Sequence, residues 1–239
     1  MKLTIIETGL VPEPIRGEFE DYPAMFRRMM DGVGAYGFDT VSVVKGDALP
    51  GPEGLQAVMI TGSPAGVYDD EAWIGPLMEF IRQAAAADVP LVGICFGHQI
   101  LAEALGGKVV KSEKGWGVGR HTYDVVTCPA FIDEACPPEI SAAVSHQDQV
   151  VQLPPGAHVI AASDFTPYAG LYYPAAPALS FQCHPEFNDA YSAALYSIRR
   201  NRLGDKMTDG ALESLEIEGD HMRLARWIAS FLEAHRKDR

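Results

Sequence analysis

Residues 89–99 read Val-Pro-Leu-Val-Gly-Ile-Cys-Phe-Gly-His-Gln, and the chain changes character at Cys95. Val89 to Ile94 is a short apolar, β-branched run of the kind that forms a buried strand, whereas Gln99 to Leu105 resumes with helical spacing. Cys95 therefore falls on a strand-to-helix turn. Gly93 and Gly97 lack the Cβ atoms that would clash in so sharp a turn, which lets the thiol project from the C-terminal edge of a sheet. The start of the following helix offers free N–H groups and positive potential, and both favour thiolate over thiol. A lone cysteine more often ends as a small apolar core residue. The flanking glycines weigh toward a nucleophile.

A second segment supplies what a nucleophile needs. In Leu179-Ser-Phe-Gln-Cys-His-Pro-Glu-Phe187, the residues up to Cys183 read as a strand. His184 and Glu186 lie two apart, so in an extended chain their side chains leave on one face. Pro185 disfavours the helical region for His184 and helps keep the pair extended. A catalytic cysteine requires an imidazole to take its proton, and the imidazole requires an acceptor to fix its tautomer and stabilise its charge. Taken alone, His-x-Glu is a weak signal that more often marks a solvated strand end. Read as half of a metal site it lacks a third ligand at a suitable spacing, so no metal is expected.

A third stretch joins these two. Ala57 to Thr61 is a short apolar strand, followed by the glycine-rich loop Gly62-Ser-Pro-Ala-Gly-Val-Tyr-Asp69. Such a loop brings backbone N–H groups close to a developing oxyanion, although it also serves as an ordinary connection. The Gly-Lys-Ser/Thr ending of a phosphate-binding loop is missing.

Gly93-x-Cys95-x-Gly97-His98-Gln99 and, 89 residues after the cysteine, His184-Pro-Glu186 together resemble the class I glutamine amidotransferases. The likeness runs in that family's chain order and covers roughly Leu3 to Phe187. It implies a Cys95, His184, Glu186 triad that attacks the side-chain amide of glutamine or of a related γ-glutamyl compound. A γ-glutamyl thioester on Cys95 then releases ammonia or an amine. It further implies an oxyanion hole from the backbone amides of Gly62 and Phe96, and no cofactor.

For substrate binding the resemblance points to Gln99, one helical turn after Cys95, and to Ser63 in the loop. Ser145-His146-Gln147-Asp148 is similar to a segment of the amidotransferase domain of GMP synthetases, which brings in His146; a cluster of turn residues is the alternative. Gly115-Trp116-Gly117 offers an indole wall between two flexible glycines, or a surface turn with a packed Trp116.

Bulk properties narrow the class. With 19 basic and 32 acidic residues among 239, the formal net charge is −13, which disfavours nucleic acids and anionic membranes as partners. No stretch approaches the roughly 20 apolar residues of a membrane span, and no signal peptide is visible at the N-terminus. Cysteines 95, 128, 136 and 183 form no CxxC pair and are too sparse for a disulfide scaffold, so four reduced thiols in the cytoplasm are expected.

The expected fold is an α/β three-layer sandwich, flavodoxin-like, with a mostly parallel central sheet and an antiparallel extension. Strands are expected at Leu3–Glu7, Thr40–Val44, Ala57–Thr61, Pro90–Ile94 and Ala178–Cys183, and helices at Ala24–Tyr36, Glu71–Ala87 and His98–Leu105. The extension should include His121–Val126, Val159–Ser163 and Ala169–Tyr173. A single amidotransferase-like domain over 1–239 is expected, with its core at about 3–187 and a helical extension at 188–239. In the extension, Asp220 reads as an N-cap, and Leu224, Trp227, Ile228, Phe231 and Leu232 form an apolar stripe that packs on the same domain.

No synthetase segment is recognisable beside the amidotransferase pattern. The chain is therefore expected to act as a stand-alone glutaminase-like enzyme, or to hand ammonia to a separate synthetase subunit. A γ-glutamyl peptidase is the alternative, with the same triad and more room on the leaving-group side. A non-catalytic regulatory or binding relative is the second alternative.

Overall fold

A computed structural model describes residues 1–132 and 134–236. The strands are β1 (Lys2–Glu7), β2 (Gly37–Ser42), β3 (Ala57–Ile60), β4 (Leu91–Ile94), β5 (Lys108–Lys111), β6 (Gly117–Val125), β7 (Glu139–His146), β8 (Asp148–Gln152), β9 (His158–Ala162), β10 (Gly170–Tyr173) and β11 (Ala178–Phe181). The helices are α1 (Tyr22–Asp31), α2 (Ile74–Ala86), α3 (Phe96–Ala104), α4 (Asp189–Ile198), α5 (Arg200–Leu203), α6 (Asp205–Ser214) and α7 (His221–Ala234).

Nine strands form one sheet in the order β2-β1-β3-β4-β11-β10-β9-β6-β7, while β5 and β8 pair separately. From β2 to β11 every neighbour is parallel. From β11 to β7 every neighbour is antiparallel. The expected parallel sheet with an antiparallel extension is thus present, and the extension is longer than the sequence suggested. β5, β7 and β8 were not anticipated. In β7 the residues alternate weakly, with Ala142, Ala143 and Val144 all buried in succession, so the strand carries no clean period of two.

Side chains on the two faces of the parallel strands sort into two cores. Leu3, Ile5, Met59, Val92 and Ile94 pack with Phe26 and Met30 of α1 and with Leu224, Trp227, Ile228, Phe231 and Leu232 of α7. Ile6, Val58, Ile60 and Leu91 face the other way, onto Leu77 and Ile81 of α2 and Ile100 and Leu101 of α3. Helices therefore cover both faces, and the apolar stripe of the tail packs on the sheet as expected.

Local chemistry sets the helix ends. The Asp21 carboxylate accepts from the Ala24 amide at 2.8 Å and starts α1, which stops at the C-cap Gly32 rather than running to Tyr36. The Asn188 side chain caps α4 through the Tyr191 amide. Asp220 does occupy the N-cap position of α7, but its carboxylate makes no capping bond. Instead it accepts from the Ser141 amide at 2.8 Å and from Arg223, which fastens α7 to the edge strand β7. Of the expected extension 188–239, residues 237–239 lie outside the described residues.

The cysteine expectation is corrected. Cys128 and Cys136 form a disulfide, with their Cα atoms 6.2 Å apart, leaving Cys95 and Cys183 as buried free thiols. Both cysteines lie within the connection between β6 and β7, whose ends the antiparallel pairing of those strands brings together. Cysteine usage therefore no longer argues for a reducing compartment.

Candidate active site

β3, β4 and β11 are adjacent and parallel, so the segments that follow them leave the same edge of the sheet. These three segments contain Gly62, Cys95 and His184. Convergence at the carboxyl ends of parallel strands is where α/β sheets place their ligand sites.

Cys95 has φ +56° and ψ −102°, a conformation that side chains rarely adopt. The glycines on either side make it possible. A Cβ on Gly93 would lie 2.3 Å from the Gly97 carbonyl oxygen, and one on Gly97 would lie 2.3 Å from the Ile60 carbonyl oxygen. The Cys95 amide donates to the Phe181 carbonyl at 2.9 Å, which extends the β4–β11 ladder up to the turn. Phe96 is the first residue of α3, so its amide points out of the helix without an intrahelical acceptor.

His184 donates from Nδ1 to Glu186 Oε1 at 2.7 Å, and both residues are buried, at 4% and 3% exposure. Nε2 is then the nitrogen left for Cys95, which acts as a hydrogen-bonding partner of the ring. Burial opposes a charge on His184, but the Glu186 carboxylate and Cys95 outweigh it and hold its pKa up at about 10. The ring stacks on Phe187, with centroids 3.9 Å apart and planes 5° from parallel, while the His184 amide donates to Ala143 at 2.9 Å. Backbone and ring are thus both fixed.

Gly62 packs against this pair. A Cβ there would stand 3.0 Å from His184 Cε1 and 3.7 Å from Cys95 Cβ. Thr8 and Thr61 hold the peptides around it. The Thr8 amide donates to Thr61 Oγ1 at 3.0 Å, and the Thr61 hydroxyl donates to the Gly62 carbonyl at 3.1 Å. The Thr8 hydroxyl donates to the Thr61 carbonyl at 2.9 Å.

The residues expected to bind substrate all line one polar cavity of about 300 Å³ that opens at Cys95, among them Ser63, Gln99, Trp116 and His146. The Gln99 amide is already engaged, donating to the Asp148 carbonyl at 2.8 Å and to Gln182 Oε1 at 3.2 Å. Gln182 in turn donates to Cys95 Sγ at 3.6 Å. Burial holds the His146 pKa down at about 3, so its ring is neutral, and its Nδ1 bonds the Asp148 carbonyl at 3.1 Å. Ser63 Oγ accepts from the Ala65 amide at 3.1 Å. His98 turns away from the site and bonds Ser180 at 2.8 Å.

Three contributors went unnoticed in the sequence. Arg199 and Arg202, from the end of α4 through α5, stand over Trp116 at 5.7 and 4.5 Å from the ring centroid and line the same cavity. The third, Gln182, lies two residues before His184, where only its place at the end of a buried strand marks it. The arginines carried a faint signal, a basic cluster in an otherwise acidic chain.

The arrangement can generate a thiolate beside an imidazolium, keep that imidazolium oriented, and offer two backbone amides to an oxyanion. Among the described residues no group of three or more His, Cys, Asp or Glu side chains is gathered to hold a metal ion, and no helix is long and apolar enough to cross a membrane.

Comparison with known proteins gives the family. Residues 37–194 match the sequence profile of the family described as glutamine amidotransferase class-I. A glutamine amidotransferase-like protein of Schizosaccharomyces pombe is 29% identical over 183 residues, 74% of this chain and 72% of that protein. Gamma-glutamyl peptidase 2 of Arabidopsis thaliana is 28% identical over 230 residues, covering 91% of each. GMP synthase of Aquifex aeolicus is 38% identical over 129 residues, which is 54% of this chain and only 24% of that enzyme. The solved glutamine amido transferase from Methylobacillus Flagellatus superposes with a TM-score of 0.77 at 22% identity, over 100% of this chain and 97% of that one, a likeness of fold.

Proposed function

The chain belongs to the class I glutamine amidotransferase family, whose members are cysteine-dependent amidohydrolases, and from that premise we propose that it hydrolyses the γ-amide of glutamine or a related γ-glutamyl compound through a thioester on Cys95. The observation that carries this reading is the buried 2.7 Å bond from His184 to Glu186, set beside a cysteine held at positive φ.

The Cys95 thiolate attacks the amide carbon, and the oxyanion that forms is taken up by the Gly62 and Phe96 amides. The His184 imidazolium gives its proton to the leaving nitrogen, the C–N bond breaks, and the thioester remains. Water then attacks the thioester while His184 takes its proton back. Glu186 fixes the tautomer and balances the charge throughout. The polar cavity takes the amino-acid end of the substrate: Arg199, Arg202 and Lys111 offer positive charge to its carboxylate, and Asp148 offers an acceptor to its amino group.

A γ-glutamyl peptidase is the second reading, favoured by the likeness to the Arabidopsis peptidase along 91% of the chain. Transfer of ammonia to a separate synthetase subunit is compatible with the match to part of the glutamine-hydrolysing GMP synthase of Aquifex aeolicus.

The test is a screen of the purified protein against glutamine, glutathione and other γ-glutamyl compounds, with Cys95→Ala as the blank. Cys95-dependent release of glutamate is the expected result. Its absence for every compound would overturn the reading.

A further inference from the structure

Cys95 stands where two cavities meet. Besides the polar cavity, a second one of about 220 Å³ opens beside it, and the two share Ser63, Pro64, Cys95, Ser145 and Arg199. Only the second is lined by His184 and by Gly62. Its other walls are Leu10, Pro12, Tyr22, Phe187 and Leu195, and Arg199 at the shared boundary is its one charged side chain apart from the catalytic groups.

This asymmetry divides the substrate. A general acid must stand within hydrogen-bond reach of the nitrogen it protonates, so the departing amine lies on the His184 side of the scissile bond. The γ-glutamyl group then lies on the other side, among the charged residues. A molecule the size of water or ammonia occupies about 30 Å³, whereas an apolar cavity of roughly 150 Å³ accommodates benzene. At about 220 Å³, the cavity beside His184 is several times larger than ammonia requires. A leaving group with no apolar surface of its own gains nothing from burial against Leu10, Pro12, Phe187 and Leu195, whereas an aromatic or branched side chain does.

We infer that the amine released by this site is a primary amine bearing an aromatic or branched aliphatic group, so that the preferred substrates are γ-glutamyl amides of hydrophobic amines or amino acids rather than glutamine itself. The inference rests on the γ-glutamyl hydrolysis proposed above. In the reaction the bond between the γ-amide carbonyl carbon and nitrogen breaks as the carbon–sulfur bond to Cys95 forms, and the amine leaves with the His184 proton. Water then replaces sulfur at the carbonyl, its proton passing to His184, and glutamate departs as the thiolate is restored. The apolar walls act on the amine, so they govern acylation and leave hydrolysis of the common thioester unchanged.

The test compares kcat/KM for glutamine, γ-glutamylglycine and γ-glutamylphenylalanine in the wild type and in Leu10→Trp. Leu10 is 36% exposed at the mouth of the cavity, so the larger side chain narrows the entrance without displacing a core. Preference for γ-glutamylphenylalanine over both others by about ten-fold or more is expected, the scale set by burying one hydrophobic side chain. Leu10→Trp should move the phenylalanine-to-glutamine ratio toward glutamine by about five-fold or more. Equal or better use of glutamine by the wild type would overturn the inference and leave γ-glutamyl hydrolysis standing, as would a ratio that Leu10→Trp does not move. No Cys95-dependent turnover of any of the three would overturn the underlying reading as well.

Discussion

The Thr8 hydroxyl donates to the Thr61 carbonyl at 2.9 Å, and that carbonyl belongs to the same peptide unit as the Gly62 N–H. In a trans peptide the two groups point in opposite directions, so holding the carbonyl aims the amide. Thr8 lies at the end of β1, next to β3 in the sheet, and is fully buried. The Gly62 amide is the proposed oxyanion donor; complete loss of such a donor lowers kcat by about 10²–10³, so releasing its aim in Thr8→Val should lower kcat by about ten-fold. KM should change little, and Thr8→Ser should restore the rate. Steady-state kinetics on the three proteins decide it; an unchanged kcat in Thr8→Val rules out this role for Thr8.

A pH profile tests the His184–Glu186 pair. With its pKa raised to about 10, His184 carries its charge through neutral pH and loses it as pH rises through that value. In the proposed mechanism the imidazolium is the acid for the leaving nitrogen, so kcat/KM should hold into the alkaline range and fall above about pH 10. Glu186→Gln keeps an acceptor for Nδ1 but removes the largest influence opposing burial. The alkaline limb should therefore move to lower pH, and a limb that stays in place would exclude Glu186 as the source of the shift.

Gly97 is a backbone requirement, and its replacement should show this. A Cβ there meets the Ile60 carbonyl oxygen at 2.3 Å, a contact with main chain that no rotamer relieves. Gly97→Ala should destabilise the fold by about 3 kcal/mol, the upper end of overpacking effects, and should abolish turnover by shifting the elbow. Urea denaturation gives the first quantity. A loss under about 0.5 kcal/mol would mean that the turn relaxes freely.

The Cys128–Cys136 bridge closes a short loop at the end of β6 and β7 remote from the site. Loop-closure entropy for eight residues predicts a stabilisation of about 2–3 kcal/mol. For a chain of 239 residues, reduction should lower Tm by about 5–10 °C. Hydrolysis at 25 °C should continue, because no catalytic group is attached to that loop. Scanning calorimetry with and without reductant makes the comparison; an activity that disappears on reduction would tie the loop to the site.

Much of the site was legible in the sequence because its restraints are local. Cys95 between Gly93 and Gly97, and His184 and Glu186 across Pro185, are patterns a few residues long whose backbone consequences follow from sterics. Their assembly depends on strand order. β3, β4 and β11 are separated by long stretches of chain, and only their pairing brings Gly62, Cys95 and His184 together. β7 was missed because its consecutive buried alanines and valine carry no alternation. The disulfide was missed because a spacing of eight residues has no meaning until β6 and β7 pair.

By itself, the sequence determined the local elements: the elbow at Cys95, the same-face pair His184 and Glu186, the apolar stripe of α7, and the alternation of strands and helices that requires a covered parallel sheet. Tertiary structure alone decided what surrounds Cys95. Arg199 and Arg202 reach Trp116 from beyond the catalytic segments, and Leu10, Tyr22 and Leu195 come from three separate parts of the chain to form the apolar cavity. The physical reason is range. Backbone conformation and periodicity are set by neighbours within a few residues, whereas a cavity is the space left between elements that pack from distant positions, and no local pattern specifies its volume or polarity.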